Sequence, residues 1–193
     1  MGKIVVTNHL SLDGVMQAPA SPDEDTRDGF ARGGWAANDN DDVMGRVMAK
    51  GMSTPGSLLL GRLTYEHFFR VWPNRTDNPF TEVLDKTQKY VASRTLTEPL
   101  PWQNSTLVSG DATDAVRALK DRLPGDLGIL GSGDLIGSLR RHHLIDTYVL
   151  MIHPVVLGSG RRLFPDGAMP EELRMTDSVT TTTGVVIATY DVA

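Results

Sequence analysis

Three short segments of the sequence combine residue types that bind phosphate groups. In each one, a brief apolar run leads to a glycine or a small hydroxyl residue, and then to an arginine or the start of a helix. A strand that turns into a helix in this way offers backbone N–H groups and positive charge to a phosphate. The segments are Leu58–Glu66, Tyr90–Thr95 and Ile129–Leu135. Their recurrence along one chain predicts a dinucleotide site at one edge of a sheet.

Two of these segments also have a simpler interpretation. The Gly131-Ser132-Gly133 turn is compatible with a tight chain reversal and nothing more. Thr64 fits a helix cap and Arg62 a solvated surface cation. In the functional interpretation, the Thr64 hydroxyl contacts a phosphate and Arg62 supplies the counter-charge.

Arg94 bears on which dinucleotide is bound. It follows Ser93 at the end of the second apolar run. An arginine just beyond a strand can bind the 2′-phosphate of NADP, whereas an acidic residue there would bind the free ribose hydroxyl of NAD. The alternative is an ordinary strand-terminal cation. The arginine favours NADPH as the cofactor.

Strand and helix patterns alternate around these segments. The β-branched run 3–10 predicts a first strand, and methionines at helical spacing predict a helix from Asp41 to Met52. Further strands are predicted at 57–60, 90–93, 107–108, 128–130 and 147–157, and Pro154 predicts a bulge or bend in the last of them. Further helices are predicted at 62–69, 80–86, 112–123 and 134–143. A hairpin is predicted over 179–192. The order indicates an α/β fold with a mostly parallel sheet and antiparallel closure at its C-terminal edge.

Composition narrows the class of protein. The 193 residues are 40% hydrophobic and 22% charged, which suits one globular domain over 1–193. The absence of cysteine excludes disulfides, thiolate zinc sites and a cysteine nucleophile. A net charge of −5 without a basic cluster argues against nucleic acid as the main partner. No signal peptide or membrane span is predicted, so we expect a cytoplasmic protein.

The residues that would contact a substrate are less clearly marked. Asp13, after the first strand, would bind a substrate hydroxyl or amine, or would only form an Asp-Gly turn. Trp35 would act as a flap over a heterocycle. His153 would donate a proton, or would be a buried, hydrogen-bonded histidine. Arg161 and Arg162 would bind a substrate phosphate or anchor their own loop. No metal site is predicted, because Asp39–Asp42 lacks the spacing of a calcium loop.

Taken in order, the motifs resemble those of the dihydrofolate reductase-like superfamily, and more closely the reductase domain of the bifunctional riboflavin-biosynthesis protein. The segments that carry the resemblance are Ser11–Val15, Leu60–Glu66, Val91–Leu96, Gly131–Leu135 and His153–Phe164. The resemblance implies a three-layer α/β/α fold with NADPH across the carboxyl edge of the sheet. It implies Gly61, Arg62 and Thr64 at the phosphates, Ser93 and Arg94 at the 2′-phosphate, and Gly131, Ser132, Gly133, Asp134 and Leu135 at the pyrophosphate.

The chain also departs from these families. The zinc deaminase that accompanies the riboflavin reductase needs cysteine ligands, which are missing here, so we expect a stand-alone reductase. Dihydrofolate reductases place a carboxylate on the first helix, whereas the stretch 29–42 contains several acids that no motif distinguishes.

Two functional hypotheses follow. The first is an NADPH-dependent reductase of a pyrimidine, pteridine or related heterocycle, similar to 5-amino-6-(5-phosphoribosylamino)uracil reductase. The second is a protein that keeps the fold and binds a nucleotide without catalysing hydride transfer. In either case the C-terminal hairpin and an exposed sheet edge indicate a homodimer.

Overall fold

A computed structural model describes residues 2–53, 56–108 and 110–193. The described residues form an eight-stranded sheet in the order β4-β3-β2-β5-β1-β6-β8-β7. The strands are β1 Ile4–Ser11, β2 Gly56–Gly61, β3 Lys89–Ala92, β4 Ser105–Val108, β5 Asp126–Leu130, β6 Thr147–His153, β7 Leu173–Thr180 and β8 Val186–Val192. The first six strands of that order pair in parallel, and β8 and β7 close the sheet in antiparallel orientation. The predicted α/β fold is therefore confirmed.

Helices cover both faces of the sheet. They are α1 Asp42–Ser53, α2 Arg62–Val71, α3 Phe80–Lys86, α4 Ala112–Arg122 and α5 Gly133–Arg141. Neighbouring residues of a strand point to opposite faces. Leu59 of β2 packs in the cluster that includes α4 and α5, while the adjacent Leu60 packs with α2 and α3. Met44 of α1 packs on Met151 of β6, so the sheet is the middle of three layers.

The structure changes three details of the predicted elements. The strand predicted over 147–157 ends at His153, where the Val155 amide donates to the His153 carbonyl at 2.8 Å and turns the chain. Pro154 lacks the N–H that would continue the ladder. The hairpin begins earlier than predicted, at Leu173. The loop 15–40 contains one short 3₁₀ turn, Arg27–Gly29, as its only helical element within the described residues.

Asp41 and Asp39, which precede α1, make different contacts. Asp41 caps the helix, because its Oδ1 accepts the Met44 amide at 2.8 Å. Its Oδ2 accepts both the amide and the hydroxyl of Thr182, which fastens the segment to the turn between β7 and β8. Asp39, two residues earlier, contacts His153 instead. In the ranges that the structure describes, no helix is long and apolar enough to cross a bilayer.

Candidate functional site

All of the residues predicted to bind the cofactor line one cleft of about 1860 Å³. The reason lies in the strand order, because β3, β2 and β5 are adjacent and parallel. Their carboxyl ends therefore open on the same edge of the sheet, which is where open α/β sheets bind ligands. The turns after these strands, which lie far apart in the sequence, become neighbours in space.

Hydrogen bonds join the turns after β2 and β5. The Gly61 amide donates to Ser132 Oγ at 2.9 Å, and the Ser132 hydroxyl donates to Thr64 Oγ1 at 2.9 Å. Within the described residues the Thr64 hydroxyl donates to no acceptor, so its proton is available to a group in the cleft. Gly131 and Ser132 both adopt left-handed backbone conformations, with φ of 63° and 67°. A Cβ on Gly131 would lie 3.5 Å from Thr64 Oγ1, so a side chain there would fill the turn.

The first turn of α5 is open to an anion. Ser132 occupies the cap position but its side chain makes no capping hydrogen bond to the helix. The first amides of a helix have no partner within the helix and attract negative charge. Ser132, Gly133, Asp134 and Leu135 all line the cleft. This geometry fits the pyrophosphate position that the resemblance implies.

The turn after β3 presents Arg94 to the same cleft. Ser93 Oγ accepts the amides of Thr95 and Leu96, at 3.1 and 3.0 Å, and so holds the loop in shape. Arg94 is exposed and forms no ion pair within the described residues. Arg62, in contrast, pairs with Glu66 at 3.0 Å on the surface of α2. Such an exposed pair contributes little stability, which leaves Arg62 free to exchange partners.

The loop 15–40 reaches the cleft through an arginine that the sequence motifs did not single out. Asp134, at the start of α5, accepts Arg161 Nη2 at 2.6 Å and Arg27 Nη1 at 3.3 Å. Arg161 thus anchors loops, as one of its two predicted interpretations required. Arg162 does the same by donating from Nε to the Asp13 carbonyl at 2.8 Å. Arg27 sits in a stretch without periodicity, so only its tertiary contacts reveal it.

Asp13 makes the contacts of a turn-forming residue. Its carboxylate accepts the Leu157 amide at 3.0 Å, the Gly158 amide at 2.8 Å and the Ser11 hydroxyl at 2.7 Å. The Leu157 hydrogen bond, followed by that from Ser11, lowers the pKa of Asp13 to about 2. Asp13 is not among the described residues that line the cleft. These contacts match the Asp-Gly turn interpretation, and a role for Asp13 toward a substrate stays a prediction.

Trp35 packs on histidine rather than over the cleft. Its Nε1 donates to the Gln17 carbonyl at 2.8 Å, and its ring meets the His153 ring edge-on at 5.3 Å. Within the described residues, neither Trp35 nor His153 lines the cleft. The role of Trp35 as a flap over a heterocycle stays a prediction.

His153 is completely buried and uses both ring nitrogens. Its Nδ1 lies 2.6 Å from Asp39 Oδ2, and its Nε2 lies 2.8 Å from His9 Nδ1. The buried, hydrogen-bonded interpretation of His153 therefore describes the structure. Of the two hydrogen-bonded histidines, His9 on β1 is the one that lines the cleft. Strand alternation carries a signal for it, since Val5, Thr7 and His9 must share the face opposite to buried Val6.

Burial keeps His9 neutral. Desolvation is the main cause that lowers the pKa of His9 from 6.5 to about 4, and the Asp39 carboxylate opposes this only in part. Between pH 4 and pH 6.5, the His9 side chain binds a proton in the unfolded chain but not in the folded chain. Stability therefore decreases as the pH falls through this window.

We expect His9 to contribute a measurable part of the acid sensitivity of this protein. The contribution of His9 to the decrease in the free energy of unfolding approaches about 3 kcal/mol near pH 4. Urea unfolding at pH 7 and pH 4.5 should show a smaller decrease for His9→Asn than for the wild type. An equal decrease in both proteins would show that His9 is not held neutral.

Comparisons with known proteins agree with this architecture. The family model described as the RibD C-terminal domain matches residues 2–187. The chain belongs to this family. The uncharacterized protein YyaP of Bacillus subtilis is 31% identical over 139 residues, which cover 69% of this chain and 72% of that protein.

Solved structures show the same fold. A putative riboflavin biosynthesis protein from Shewanella sp. PV-4 aligns with a TM-score of 0.72 at 22% identity, over 100% of this chain and 99% of that one. The deaminase/5-amino-6-(5-phosphoribosylamino)uracil reductase of Thermotoga maritima gives 0.63 at 12% identity, over 100% of this chain and 57% of that one. Dihydrofolate reductase from Enterococcus faecalis, complexed with NADP(H), gives 0.61 at 15% identity, over 99% and 96%. The predicted dihydrofolate reductase-like fold is confirmed.

Proposed function

We propose that this member of the RibD C-terminal domain family is an NADPH-dependent reductase of a small heterocyclic substrate. The observation that carries the proposal is the convergence of the β2, β3 and β5 turns on one cleft. NADPH would supply the hydride. The chain would supply binding and orientation.

The residues of the cleft fit such a cofactor. The first amides of α5 and the free proton of Thr64 are hydrogen-bond donors for the pyrophosphate. Arg94 has no competing ion pair within the described residues and can bind the 2′-phosphate. Glycine at 131 suits the left-handed backbone of this turn, where φ is 63°.

Another part of the cleft lining suits a flat heterocycle. Met44, Met48 and Met52 of α1 line it, together with Met151 of β6. Thioether side chains adapt to aromatic rings and pack favourably against them. A pyrimidine such as 5-amino-6-(5-phosphoribosylamino)uracil, or a pteridine, has this shape. We propose one of these as the substrate class.

Cofactor binding tests the proposal directly. Quenching of tryptophan fluorescence should give an NADPH affinity at least about tenfold higher than that for NADH, because a charge-assisted contact to the 2′-phosphate contributes roughly 1.5–3 kcal/mol. Equal affinities would contradict the choice of NADPH, and no binding of either would contradict the function. Steady NADPH oxidation with a pyrimidine or pteridine would exclude a non-catalytic protein.

Two organisational features complete the proposal. We infer that residues 1–193 act as a single reductase-like domain. The homodimer stays a prediction. It is supported by β7, which forms an outer edge of the sheet and exposes Met175 and Val179.

A further inference from the structure

Asp39, His153 and His9 form a hydrogen-bonded chain that ends in the cleft, here called the Asp39–His153–His9 chain. Its two links are 2.6 Å between Asp39 Oδ2 and His153 Nδ1, and 2.8 Å between His153 Nε2 and His9 Nδ1. The Asp39 side chain is 27% exposed and that of His153 is fully buried. The chain therefore runs from a partly exposed carboxylate, through the interior, to His9, a residue that lines the cleft.

The contact with Asp39 determines that Nδ1 of His153 carries a proton, because a carboxylate can only accept. The direction of the second hydrogen bond depends on the tautomers of the two rings. With both imidazoles neutral, the Nε2 lone pair of His153 accepts from Nδ1–H of His9, and His9 keeps its own lone pair on Nε2. We adopt this pair of tautomers for the chain; a doubly protonated His153 would donate from Nε2 and reverse the second hydrogen bond.

The fold holds Asp39 in place for this contact. The Thr183 hydroxyl donates to the Asp39 carbonyl at 2.8 Å, and neighbouring Asp41 is bound by Thr182 of the same turn. Trp35 packs edge-on against the other side of the His153 ring. Each member of the chain therefore has a fixed orientation, which a tautomer-determining network requires.

His9 meets the cleft as a neutral acceptor in apolar surroundings. Its titratable neighbours are His153 and Asp39, and burial is the main reason for its lowered pKa. Met44 and Met48 of α1 and Met151 of β6 line the cleft with it. Within the described residues, Nε2 of His9 has no hydrogen-bond partner. A partly buried acceptor without a protein partner discriminates for a ligand that donates to it.

We propose that His9 Nε2 is a substrate-recognition acceptor that selects heterocycles carrying an N–H donor on the ring edge, with His153 and Asp39 as positioning residues. The inference rests on the proposed function, because it assigns the substrate end of the same cleft. It restricts the substrate class to amino-substituted or N–H-bearing rings. A ring whose edge offers only acceptors or methyl groups would leave His9 without a partner.

The tautomers can be measured without any substrate. Long-range ¹H–¹⁵N spectra of the full chain labelled with [¹⁵N]histidine should show His9 and His153 protonated on Nδ1 at neutral pH. Exposed His142 and His143 provide the reference for rings in solvent. A His9 ring protonated on Nε2, or a doubly protonated His153, would overturn the proposal.

Ligand selection is tested with two isosteric probes, 4-aminoquinazoline and 4-methylquinazoline, of which only the first has an N–H donor. The first should shift the His9 Nε2 resonance and bind at least about tenfold more tightly. Equal binding, or no effect on His9, would overturn the proposal. NADPH titration of the same samples is independent of this result, so its failure would count against the proposed function and leave the tautomer measurement standing.

The Asp39→Asn variant should exchange the donor and acceptor roles in both hydrogen bonds of the Asp39–His153–His9 chain. The carboxamide that it introduces can donate to His153 Nδ1, which moves the His153 proton to Nε2 and turns His9 Nε2 into a donor. The preference for 4-aminoquinazoline should then disappear while NADPH affinity is unchanged. The control is Asp42→Asn, which changes an exposed acid in the same segment and should keep both the tautomers and the preference. The ¹⁵N spectra of Asp39→Asn show which nitrogen of His153 carries the proton, because the amide oxygen could also accept from Nδ1. A preference that was kept although the His153 proton had moved to Nε2, or lost although it had stayed on Nδ1, would overturn the positioning role.

Discussion

Replacing Arg94 with glutamine should weaken NADPH binding about ten- to a hundredfold and leave NADH binding nearly unchanged. Arg94 lines the cleft after β3 and has no ion pair within the described residues that would hold it elsewhere. A guanidinium bound to a 2′-phosphate forms charge-assisted hydrogen bonds that glutamine cannot replace. NADH has a ribose hydroxyl at that position and so loses nothing comparable.

Fluorescence titration with both nucleotides measures the effect, and the ratio of the two affinities is the informative quantity. Arg122→Gln is a matched control, because Arg122 is an exposed arginine at the end of α4 and is absent from the cleft lining. It should leave both affinities as they are. An equal loss of NADPH and NADH binding in Arg94→Gln would mean that Arg94 supports the loop rather than the 2′-phosphate.

Replacing Glu171 with alanine should destabilise the protein by about 3–5 kcal/mol. Glu171 Oε2 accepts Arg140 Nε at 3.0 Å and the Tyr148 hydroxyl at 2.9 Å. The Arg140 and Glu171 side chains are only 12% and 8% exposed. Removal of the carboxylate leaves a largely buried guanidinium without its counter-charge and the Tyr148 hydroxyl without its acceptor.

Urea unfolding gives the free energy change directly, and the melting temperature should fall by roughly 6–20 °C. The control is Glu172→Ala, which removes a carboxylate one residue away that forms no ion pair within the described part of the chain, and it should change stability by less than about 0.5 kcal/mol. If Glu171→Ala and Glu172→Ala had the same melting temperature, the buried pair would contribute no more to stability than an ordinary surface contact. Because Arg140 lies on α5, a loosened pair should also weaken the helix that presents its N-terminus to the cleft.

The residues predicted to bind a cofactor lie together in the structure, whereas those predicted to contact a substrate do not. The turns after β2, β3 and β5 are local strand-to-helix features, so glycine, hydroxyl and arginine residues at short spacing identify them. Every residue predicted there lines the cleft. The substrate candidates were single residues without a pattern, and Asp13 and Trp35 are occupied with loop contacts instead.

The sequence did not predict where β6 ends or which contacts the long loop 15–40 makes. Pro154 was expected to bend a strand, and instead the strand ends before it, because the antiparallel partner β8 begins pairing at Ile152 and offers nothing beyond. The loop 15–40 has no periodicity to interpret. Its role became visible through contacts such as Arg27 with Asp134, which join residues 107 apart in the sequence.

By itself the sequence determined the alternation of strands and helices and the three turns with glycine, hydroxyl and arginine residues for which phosphate binding is predicted, since all of these depend on neighbours within a few residues. Only the tertiary structure decided that His9, rather than His153, faces the cleft. The Asp39–His153–His9 chain joins residues 114 and 144 positions apart. A hydrogen bond between such distant residues depends on strand order, register and the path of a loop, and no local pattern encodes their combination.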